Sequence, residues 1–376
     1  MNNFLILINA RGYQSLFPYS IYDIKIFDKY LNVLRYKREL EDIGIEVRVC
    51  SEGKIIFIES LVKVDKLEKL LMDNYDGDSV LNILKEALSK YLCRKKVIKT
   101  SRRELIINEG KPLIMGVLNI TPDSFYDGGS YLEVEASVEH ALEMEQEGAD
   151  IIDIGGQSTR PGSVKISAES ELERIIPVIE KLGKLLRIPI SIDTYYSKVA
   201  DVAIRNGVEI VNDTSALTYD EKGMLEVVKK YNVAVCLMHY YKTLQPMPEE
   251  PYYSEIMYEI ISWLKERIDF LVENGINLDK VIVDPGIGFG KTVNHNLQIL
   301  HRLDEIRVLG LPILVGVSRK SFIGKVVSDS GPRDRLEGTL ASCIISMMNG
   351  VSILRVHDVK EVKRAITIVD SILNGT

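Results

Sequence analysis

The chain has 376 residues, 46% of them hydrophobic, so it can bury one large core and a smaller one, which predicts one or two domains. A net charge of -7 and a sequence pI near 5.5 argue against nucleic acid or an anionic membrane surface as the main partner. The first residues lack the features of a signal peptide and no apolar run reaches about 18 residues, so a cytoplasmic protein without membrane spans is expected.

The four cysteines are scattered along the chain without the spacing of metal ligands. Cys236 and Cys343 lie inside apolar runs, whereas Cys50 and Cys93 do not. This usage is typical of small core residues in a reducing compartment.

The first hundred residues are predicted to form a small α+β domain of unknown role. Strands are expected at 3–9, 45–50 and 54–59, and helices at 27–42 and 78–92. This region contains no phosphate-binding loop, metal-ligand spacing or nucleophile constellation, so the sequence assigns it no chemistry.

A basic stretch from Arg94 to Arg103 follows. A solvated linker is the favoured interpretation, and an electrostatic docking strip is the alternative. The predicted domain boundary lies here, between a domain of residues 1–100 and a second domain of residues 101–376. A small hairpin around 105–108 is expected to cap the closed end of the second domain.

From Lys111 onward, short apolar strands alternate with helix-length segments, which predicts parallel βαβ units. Eight such units in about 250 residues are what a (β/α)8 TIM barrel needs. A doubly wound sheet, the alternative, carries a glycine fingerprint after its first strand, and none follows 113–118. The predicted strands are 113–118, 150–154, 189–192, 208–212, 233–238, 281–283, 312–316 and 352–356. The expected fold is therefore a TIM barrel preceded by a small α+β domain.

Every predicted barrel strand is followed by, or ends in, a carboxylate, amide, hydroxyl or basic group. Carboxyl ends of barrel strands meet on one face, where the active sites of such barrels lie. A single polar residue there is more often a helix cap or a structural hydrogen bond, but eight together indicate a functional site. The residues are Asn119, Asp153, Asp193, Asn212, His239, Asp284, Ser318 and Arg355.

The order and content of these strand ends resemble the dihydropteroate synthases, the folate-pathway pterin-binding barrels. The resemblance rests on LNITPDSFYDGG, DIGGQSTRPG, SIDT, VNDTSA, DPGIGFGK, GVSRKSFIG and RVHD, and it spans about Pro112 to the C-terminus. It implies a transferase that joins 7,8-dihydropterin-6-ylmethyl diphosphate to 4-aminobenzoate, giving 7,8-dihydropteroate and pyrophosphate. It also implies inhibition by sulfonamides that compete with 4-aminobenzoate, and a homodimer.

The resemblance implies a pterin site in which a carboxylate accepts two N–H donors from the edge of the ring. Asp284 matches the principal pterin carboxylate of the family, and Lys320 matches the lysine that donates to the carbonyl side of the ring. The implied pterin-binding residues are Asp193, Asn212, Met238, Asp284, Phe289 and Lys320.

The resemblance also implies a diphosphate site and Mg²⁺. The implied diphosphate-binding residues are Asn119, Thr159, Arg160, Arg355 and His357. Asn119 matches the asparagine associated with the metal, so Mg²⁺ held mostly by water and phosphate oxygens is expected.

The implied 4-aminobenzoate site consists of Phe125, Thr159, Pro161 and Ser318, and the loops that carry the first three are expected to become ordered around the diphosphate and Mg²⁺. In the family, ionisation of the diphosphate precedes attack by the amine, so no protein nucleophile is needed. The implied catalytic residues are Asp193, Lys320, Arg355 and His357.

Two features depart from the family pattern. Gln157 stands where the second-strand motif usually has glutamate, and the loop after Met238-His239 is atypical. Two alternatives therefore stay open. A methyltetrahydrofolate-dependent methyltransferase would need neither the diphosphate-loop residues nor the Arg-x-His pair, and residues 1–100 lack a cobalamin-domain signature. A non-catalytic pterin-binding paralogue is favoured only by Gln157.

Overall fold

A computed structural model of the chain describes most residues of both predicted domains. The described ranges are 4–11, 21–28, 33–43, 45–52, 55–63, 72, 79–120, 131–157, 165–241, 251–328, 331 and 335–375. Among the helices within these ranges, none is both long enough and apolar enough to cross a membrane.

The N-terminal domain has an antiparallel sheet and two described helices. Its elements are β1 (Phe4–Arg11), β2 (Ile21–Asp28), α1 (Val33–Asp42), β3 (Val47–Glu52), β4 (Ile55–Lys63) and α2 (Val80–Leu92). The strand order is β1-β2-β4-β3. The predicted α+β composition is confirmed, but β2 was not predicted, because its first residues fell outside the predicted elements and its last two were assigned to a helix. Ile24 and Ile26 are buried on either side of a half-buried Lys25, an alternation typical of a strand.

The basic stretch forms a hairpin, so the favoured prediction of a solvated linker is wrong. Strand β5 (Lys95–Lys99) pairs antiparallel with β6 (Glu104–Asn108), and the small hairpin predicted here is confirmed. Ile98 and Ile107, 0% and 3% exposed, belong to the buried cluster inside the barrel. The predicted boundary at residue 100 lies in the turn of this hairpin.

Two basic residues of the hairpin pair with carboxylates of the barrel's lower rim. Lys99 Nζ lies 3.0 Å from Asp279, and Arg103 Nη2 lies 2.8 Å from Glu209, which is buried. These ion pairs fix the hairpin against the barrel and leave its two isoleucines to fill the closed end.

The second domain is built on eight parallel strands, which confirms the predicted barrel. They are β7 (Leu113–Asn119), β8 (Ile151–Gly155), β9 (Ile190–Asp193), β10 (Ile210–Asp213), β11 (Ala234–Met238), β12 (Val281–Asp284), β13 (Leu314–Val315) and β14 (Ile353–Val356). Their order is β12-β11-β10-β9-β8-β7-β14-β13. Val283 N donates to the Pro312 carbonyl oxygen at 3.0 Å and Val283 bridges Ile313, which joins β12 to β13 and closes the barrel.

Helices of the second domain surround the strands. They are α3 (Tyr131–Gln146), α4 (Ala168–Leu185), α5 (Ser197–Arg205), α6 (Glu221–Tyr231), α7 (Ile256–Glu273), α8 (Val293–His301), α9 (Ser321–Val327), α10 (Leu336–Met348) and α11 (Val359–Asn374), with 3-10 turns at Leu278–Lys280 and Leu303–Leu309. In α4, Ser167 caps the first turn by accepting from the Ser170 N–H. Ile175, Ile179 and Leu182 then follow at helical spacing and are fully buried.

The N-terminal domain packs against the outer layer of the barrel. Tyr91 in α2 is fully buried, and its hydroxyl donates to Asp304 Oδ2 at 2.6 Å. The rings of Phe27 in β2 and Tyr258 in α7 have centroids 4.5 Å apart. The apolar residues of both domains therefore form one continuous buried cluster.

Candidate active site

The barrel interior changes from apolar to polar towards the carboxyl ends of its strands. Inward positions on a strand recur every second residue, so each strand contributes to successive layers. On four strands an inward isoleucine is followed two residues later by a polar or charged residue. The pairs are Ile151 and Asp153 on β8, Ile210 and Asn212 on β10, Ile282 and Asp284 on β12, and Ile353 and Arg355 on β14. The hairpin closes the apolar end, so the polar layer lies at the open mouth.

Arg355 connects two carboxylates in this layer. Its Nε donates to Asp153 Oδ2 at 2.6 Å, and its Nη2 donates to Asp193 Oδ2 at 2.9 Å. The amide of Asn212 also donates to Asp153 Oδ2, at 3.1 Å. Although burial opposes it, the two carboxylates raise the pKa of Arg355 above its ordinary value. The structure thus brings Asp193, Asn212 and Arg355 together, as predicted.

Asp284 lies at the end of β12 and is 6% exposed. Its Oδ1 accepts from the Gly286 N–H at 2.7 Å, in a turn where Gly286 has a φ of 70° that favours glycine. Burial raises the pKa of Asp284 to about 6, against the lowering effect of this hydrogen bond and of Lys320, Lys291 and Arg355. The carboxylate is therefore largely charged at neutral pH and poised to accept donors.

Lys320 faces Asp284 across the mouth from the loop after β13. Its Nζ lies 4.3 Å from the centroid of the Phe289 ring. Burial and Arg355 lower the pKa of Lys320 to about 8, while Asp284 and Asp193 counter this effect. A β-carbon on Gly288 would lie 3.3 Å from Lys320 Cδ, so the glycine makes room for the lysine beside Phe289.

Asn119 and Asp193 flank the glycine between them. Asn119 pairs in register with Gly155, and Gly155 pairs with Asp193. A β-carbon on Gly155 would lie 3.5 Å from Asn119 Oδ1 and 4.0 Å from Asp193 Oδ2. Burial raises the pKa of Asp193 to about 7, which Arg355 partly offsets. Two oxygen donors therefore lie on either side of Gly155 at the rim.

Ser318 and His357 lie in contact on neighbouring strand ends. His357 N donates to Ser318 Oγ at 3.2 Å, and His357 Nδ1 lies 3.0 Å from the same oxygen. Between Ser318 and Lys320, Arg319 turns outward with a φ of 56° and donates from Nε to Asp358 Oδ2 at 2.9 Å. The residue predicted for 4-aminobenzoate and one predicted for diphosphate are thus adjacent.

The loop after β11 packs on the loop after β12. Met238 is 2% exposed at the end of β11, and His239 N donates to the Asp284 carbonyl oxygen at 2.8 Å. The Tyr253 hydroxyl donates to the Gly290 carbonyl oxygen at 3.2 Å. The described residues at the two ends of this atypical loop therefore pack against the strand end and loop that carry Asp284.

Four of the predicted residues are not placed by the structure. Phe125, Thr159, Arg160 and Pro161 lie outside the described residues, so their assignment stays a prediction.

Gln157, the departure in the second-strand motif, accepts a hydrogen bond from the Tyr195 hydroxyl at 3.2 Å. An amide oxygen can accept this hydrogen bond as a carboxylate oxygen can, but it carries no charge, so the contact is a neutral one.

Three residues of the site were not assigned from the sequence. Asp153 was recognised only as a strand end, yet it joins Arg355 to Asn212. Glu171, a first-turn residue of α4, is 1% exposed behind Asp193 and accepts from Thr194 Oγ1 at 3.3 Å. Lys291 closes the DPGIGFGK motif and contacts His239. The strand period could have identified Asp153, whereas the other two depend on tertiary contacts.

Residues 115–357 match the family described as pterin binding enzymes, a match that begins beyond the N-terminal domain. The chain is 43% identical over 279 residues to the dihydropteroate synthase of Bacillus subtilis strain 168, covering 74% of this chain and 94% of that protein. It is 43% identical over 264 residues to the Escherichia coli K12 enzyme, covering 70% and 93%.

Solved structures agree with these matches. Xanthomonas albilineans dihydropteroate synthase with 4-aminobenzoic acid superimposes with a TM-score of 0.69 at 38% identity, covering 74% of this chain and 98% of that one. The Clostridium difficile enzyme in the presence of pteroic acid gives 0.66 at 45% identity, covering 70% and 98%. The chain therefore belongs to the pterin binding enzyme family and, within it, to the dihydropteroate synthases.

Proposed function

We propose that the protein condenses 7,8-dihydropterin-6-ylmethyl diphosphate with 4-aminobenzoate to give 7,8-dihydropteroate and pyrophosphate. The observation that carries this is the polar layer at the barrel mouth, where Asp284, Asn212 and Lys320 converge above an apolar plug. Relatives at 43% identity that bear the name of this activity are matched over 94% and 93% of their length.

Asp284 is the residue that recognises the pterin. The amino-pyrimidinone edge of the ring presents adjacent N–H donors, which one carboxylate accepts in bidentate fashion. The Gly286 N–H fixes Oδ1 from behind, so the carboxylate is oriented before the ring arrives. Lys320 donates to the carbonyl side of the ring, and Asp193, Asn212, Met238 and Phe289 complete the pocket.

Arg355 and His357 stabilise the diphosphate. Arg355 is anchored to Asp153 and Asp193 through Nε and Nη2, so its guanidinium is held in one orientation at the mouth. His357 stands beside Ser318 on the next strand end. Thr159 and Arg160 are proposed to close over the same group, since the motif that contains them matches the family.

Asn119 is the residue that would hold Mg²⁺, together with diphosphate oxygens and water. The side-chain oxygens of Asn119 and Asp193 flank Gly155, and oxygen donors are what this cation prefers. When bound, Mg²⁺ neutralises charge on the leaving diphosphate.

The chain's own residues provide binding and orientation and form no covalent intermediate. The bond between the methylene carbon and the diphosphate oxygen breaks, and pyrophosphate takes the electron pair. The amine of 4-aminobenzoate then bonds to the methylene carbon and loses one proton. Burial together with Asp284 raises the pKa of the Cys236 thiol well above the ordinary value, so Cys236 stays a neutral core residue.

Ser318 is proposed to receive the carboxylate of 4-aminobenzoate. It is 6% exposed and lies against His357, next to the anion site. Phe125, Thr159 and Pro161 are proposed to enclose the ring, and sulfonamides that imitate 4-aminobenzoate would compete for the same place.

The experiment is to incubate the protein with the pterin diphosphate, 4-aminobenzoate and Mg²⁺, and to measure dihydropteroate and pyrophosphate. Formation of both in equal amounts is expected. Pterin binding without product would indicate a non-catalytic paralogue, and methyl transfer from methyltetrahydrofolate would indicate the other pterin barrel class. Asp269→Asn, a change on the exposed face of α7, serves as an activity control.

We also propose that the protein is a cytoplasmic homodimer. All four cysteines are free, as expected in a reducing compartment. Ile368 and Ile372, one turn apart on α11, are 62% and 73% exposed, and a dimer interface on this helix would cover both. Sedimentation equilibrium at micromolar concentration tests the dimer, and a monomer would contradict it.

A further inference from the structure

Lys291 lies near Asp284, the proposed pterin-binding carboxylate, between the loops that follow β11 and β12. Its Nζ lies 3.1 Å from His239 Nδ1, and it donates to the carbonyl oxygens of Phe289 at 3.1 Å and His239 at 3.4 Å. His239 follows β11, whereas Phe289 and Lys291 follow β12. One ammonium group therefore ties together the two loops that wall the mouth.

The same ammonium group lies against the turn that orients Asp284. A β-carbon on Gly286 would lie 1.9 Å from the His239 carbonyl oxygen and 3.4 Å from Lys291 Nζ. Gly286 is also the residue whose N–H holds Asp284 Oδ1. Lys291 thus supports the turn from one side while the carboxylate is held on the other.

Charge links Lys291 to Asp284. Burial lowers the pKa of Lys291 to about 7, while Asp284 raises it and Lys320 lowers it. In turn, Lys320, Lys291 and Arg355 each lower the pKa of Asp284 against the effect of burial. Each of the two groups therefore stabilises the charged form of the other.

In the described part of the chain, the other titratable groups near Lys291 include two imidazoles and a thiol. Burial and Lys291 hold the pKa of His239 well below its ordinary value, so this imidazole is neutral at physiological pH. Burial and Lys291 also lower the pKa of His295, which lies in the first turn of α8. Cys236 lies near Asp284 as a neutral thiol. Among the described residues, Asp284 is the carboxylate to which the charge of Lys291 is coupled.

We propose that Lys291 is a positioning residue for pterin recognition, a cation that keeps the Asp284 carboxylate charged and its turn in place. The inference rests on the proposed function, because it assigns the pterin edge to Asp284. Lys291 does not need to touch the substrate, since its effect passes through Asp284 and Gly286.

If the charge of Lys291 keeps Asp284 ionised, its removal should change how pterin affinity depends on pH. Asp284 must be ionised to accept two N–H donors, so pterin affinity falls as the pH drops through the pKa of this carboxyl. Removing the positive charge at position 291 raises that pKa, which moves the acidic loss of affinity to higher pH. A purely structural role for Lys291 would weaken binding equally at every pH.

The test is calorimetric titration with 6-hydroxymethylpterin from pH 5 to 8.5, on the full chain. Lys291→Gln removes the charge and keeps a donor for the carbonyl oxygens, whereas Lys291→Arg keeps the charge. Lys291→Gln should shift the acidic loss of pterin affinity upward by about one pH unit, which weakens the pterin about twofold at pH 7 and about tenfold at pH 5. In Lys291→Arg, the fall of pterin affinity at acidic pH should occur at the same pH as in the wild-type protein. Lys265→Met, which breaks an exposed pair on α7, is the control and should match wild type.

Kinetics provide a second measurement. Lys291→Gln should raise KM for the pterin diphosphate, while kcat at saturation stays within a few-fold of wild type. An unshifted acidic limb in Lys291→Gln, or equal losses in the Gln and Arg variants, would overturn the proposal. If Lys291→Gln does not fold, Lys291→Met gives the same comparison with Lys291→Arg. Failure of the wild-type protein to bind the pterin would instead contradict the proposed function.

Discussion

At the scale of single residues, the pterin site depends on a carboxylate whose charge is opposed by burial and restored by its neighbours. Asp284→Asn should abolish pterin binding and leave the fold intact, because an amide cannot accept both N–H donors. The two lost charge-assisted hydrogen bonds should cost several kcal/mol, at roughly 1.5 to 3 kcal/mol each. Calorimetry with a pterin and a thermal melt measure the two effects, and unchanged pterin affinity would refute the assignment of Asp284.

Glu171 is a buried carboxyl group that has no proposed contact with the substrate. It is 1% exposed, and burial together with Asp193 raises its pKa from 4.5 to about 8. The folded state therefore holds a proton that the unfolded state has lost, and the associated stability is complete below about pH 4.5 and declines as the pH rises through 8.

Glu171→Gln removes this titration. The free energy of unfolding of the variant relative to wild type should rise between pH 5 and 8 and then level off, by up to several kcal/mol at about 1.4 kcal/mol per pKa unit. Urea unfolding at a series of pH values measures it. Glu169→Gln, on the exposed side of the same helix and paired with Lys198, should show no such rise. A pH-independent difference for Glu171→Gln would mean that Glu171 is ionised in the folded protein.

The sequence identifies the residues whose positions depend on local patterns and misses those that depend on tertiary packing. Asp284 and Asn212 are placed by the strand period and by long motifs, so both were predicted. Glu171 is an acidic residue in a first helical turn, an ordinary position for it, and it is buried only because α4 packs against the segment after β9 that holds Thr194. No local pattern carries that information.

At the scale of elements, the hairpin of β5 and β6 determines how the barrel is closed at its lower end. Ile98→Ala should lower the free energy of unfolding by about 2 to 4 kcal/mol, because the side chain is fully buried among the barrel's inward isoleucines. Ile106→Ala, in the partner strand at 51% exposure, should stay within about 0.5 kcal/mol of wild type. Similar losses for both variants, measured by urea unfolding, would show that the hairpin does not fill the barrel.

The basic composition of the hairpin led to the incorrect prediction of a solvated linker. The lysines and arginines between 94 and 103 are typical of a solvated linker, but Glu209 and Asp279, far along the chain, pair with two of them. Ion pairs at that separation are decided by the closed barrel, so the local composition pointed the wrong way.

A further prediction concerns the loops after β7 and β8, which lie outside the described residues. If Thr159 and Arg160 order around the diphosphate and Mg²⁺, the pocket bounded by Phe125 and Pro161 does not exist in the free enzyme. A sulfonamide should then bind weakly until pyrophosphate and Mg²⁺ are present, and it should tighten pyrophosphate by the same factor, because coupling is reciprocal. Calorimetric titration with and without pyrophosphate and Mg²⁺ decides it, and equal affinities would indicate a preformed pocket.

At the scale of the whole molecule, the described part of the N-terminal domain packs on the outer layer of the barrel, through Tyr91 on Asp304 and Phe27 on Tyr258. Among the described residues, the site is built from strand ends between Asn119 and His357. Residues 1–93 are therefore expected to be dispensable for chemistry. A truncated chain should begin near Arg94, because a start at Arg102 would delete β5 and remove Ile98 from the barrel.

The contact between Tyr91 and Asp304 tests this division between stability and catalysis. Tyr91 is fully buried and donates to Asp304 at 2.6 Å, and the guanidinium carbon of Arg307 lies 4.9 Å from the centre of the tyrosine ring. Tyr91→Phe removes the hydroxyl and keeps the ring, so it should lower the free energy of unfolding by about 1 to 3 kcal/mol.

The same variant should leave kcat unchanged, since the contact lies on the outer layer of the barrel. Urea unfolding and the dihydropteroate assay are measured on one preparation, with Tyr252→Phe, at a tyrosine that is 68% exposed, as the stability control. A loss of kcat in folded Tyr91→Phe protein would show that the N-terminal domain acts on the chemistry. Unchanged stability would show that the two domains are not joined through this contact.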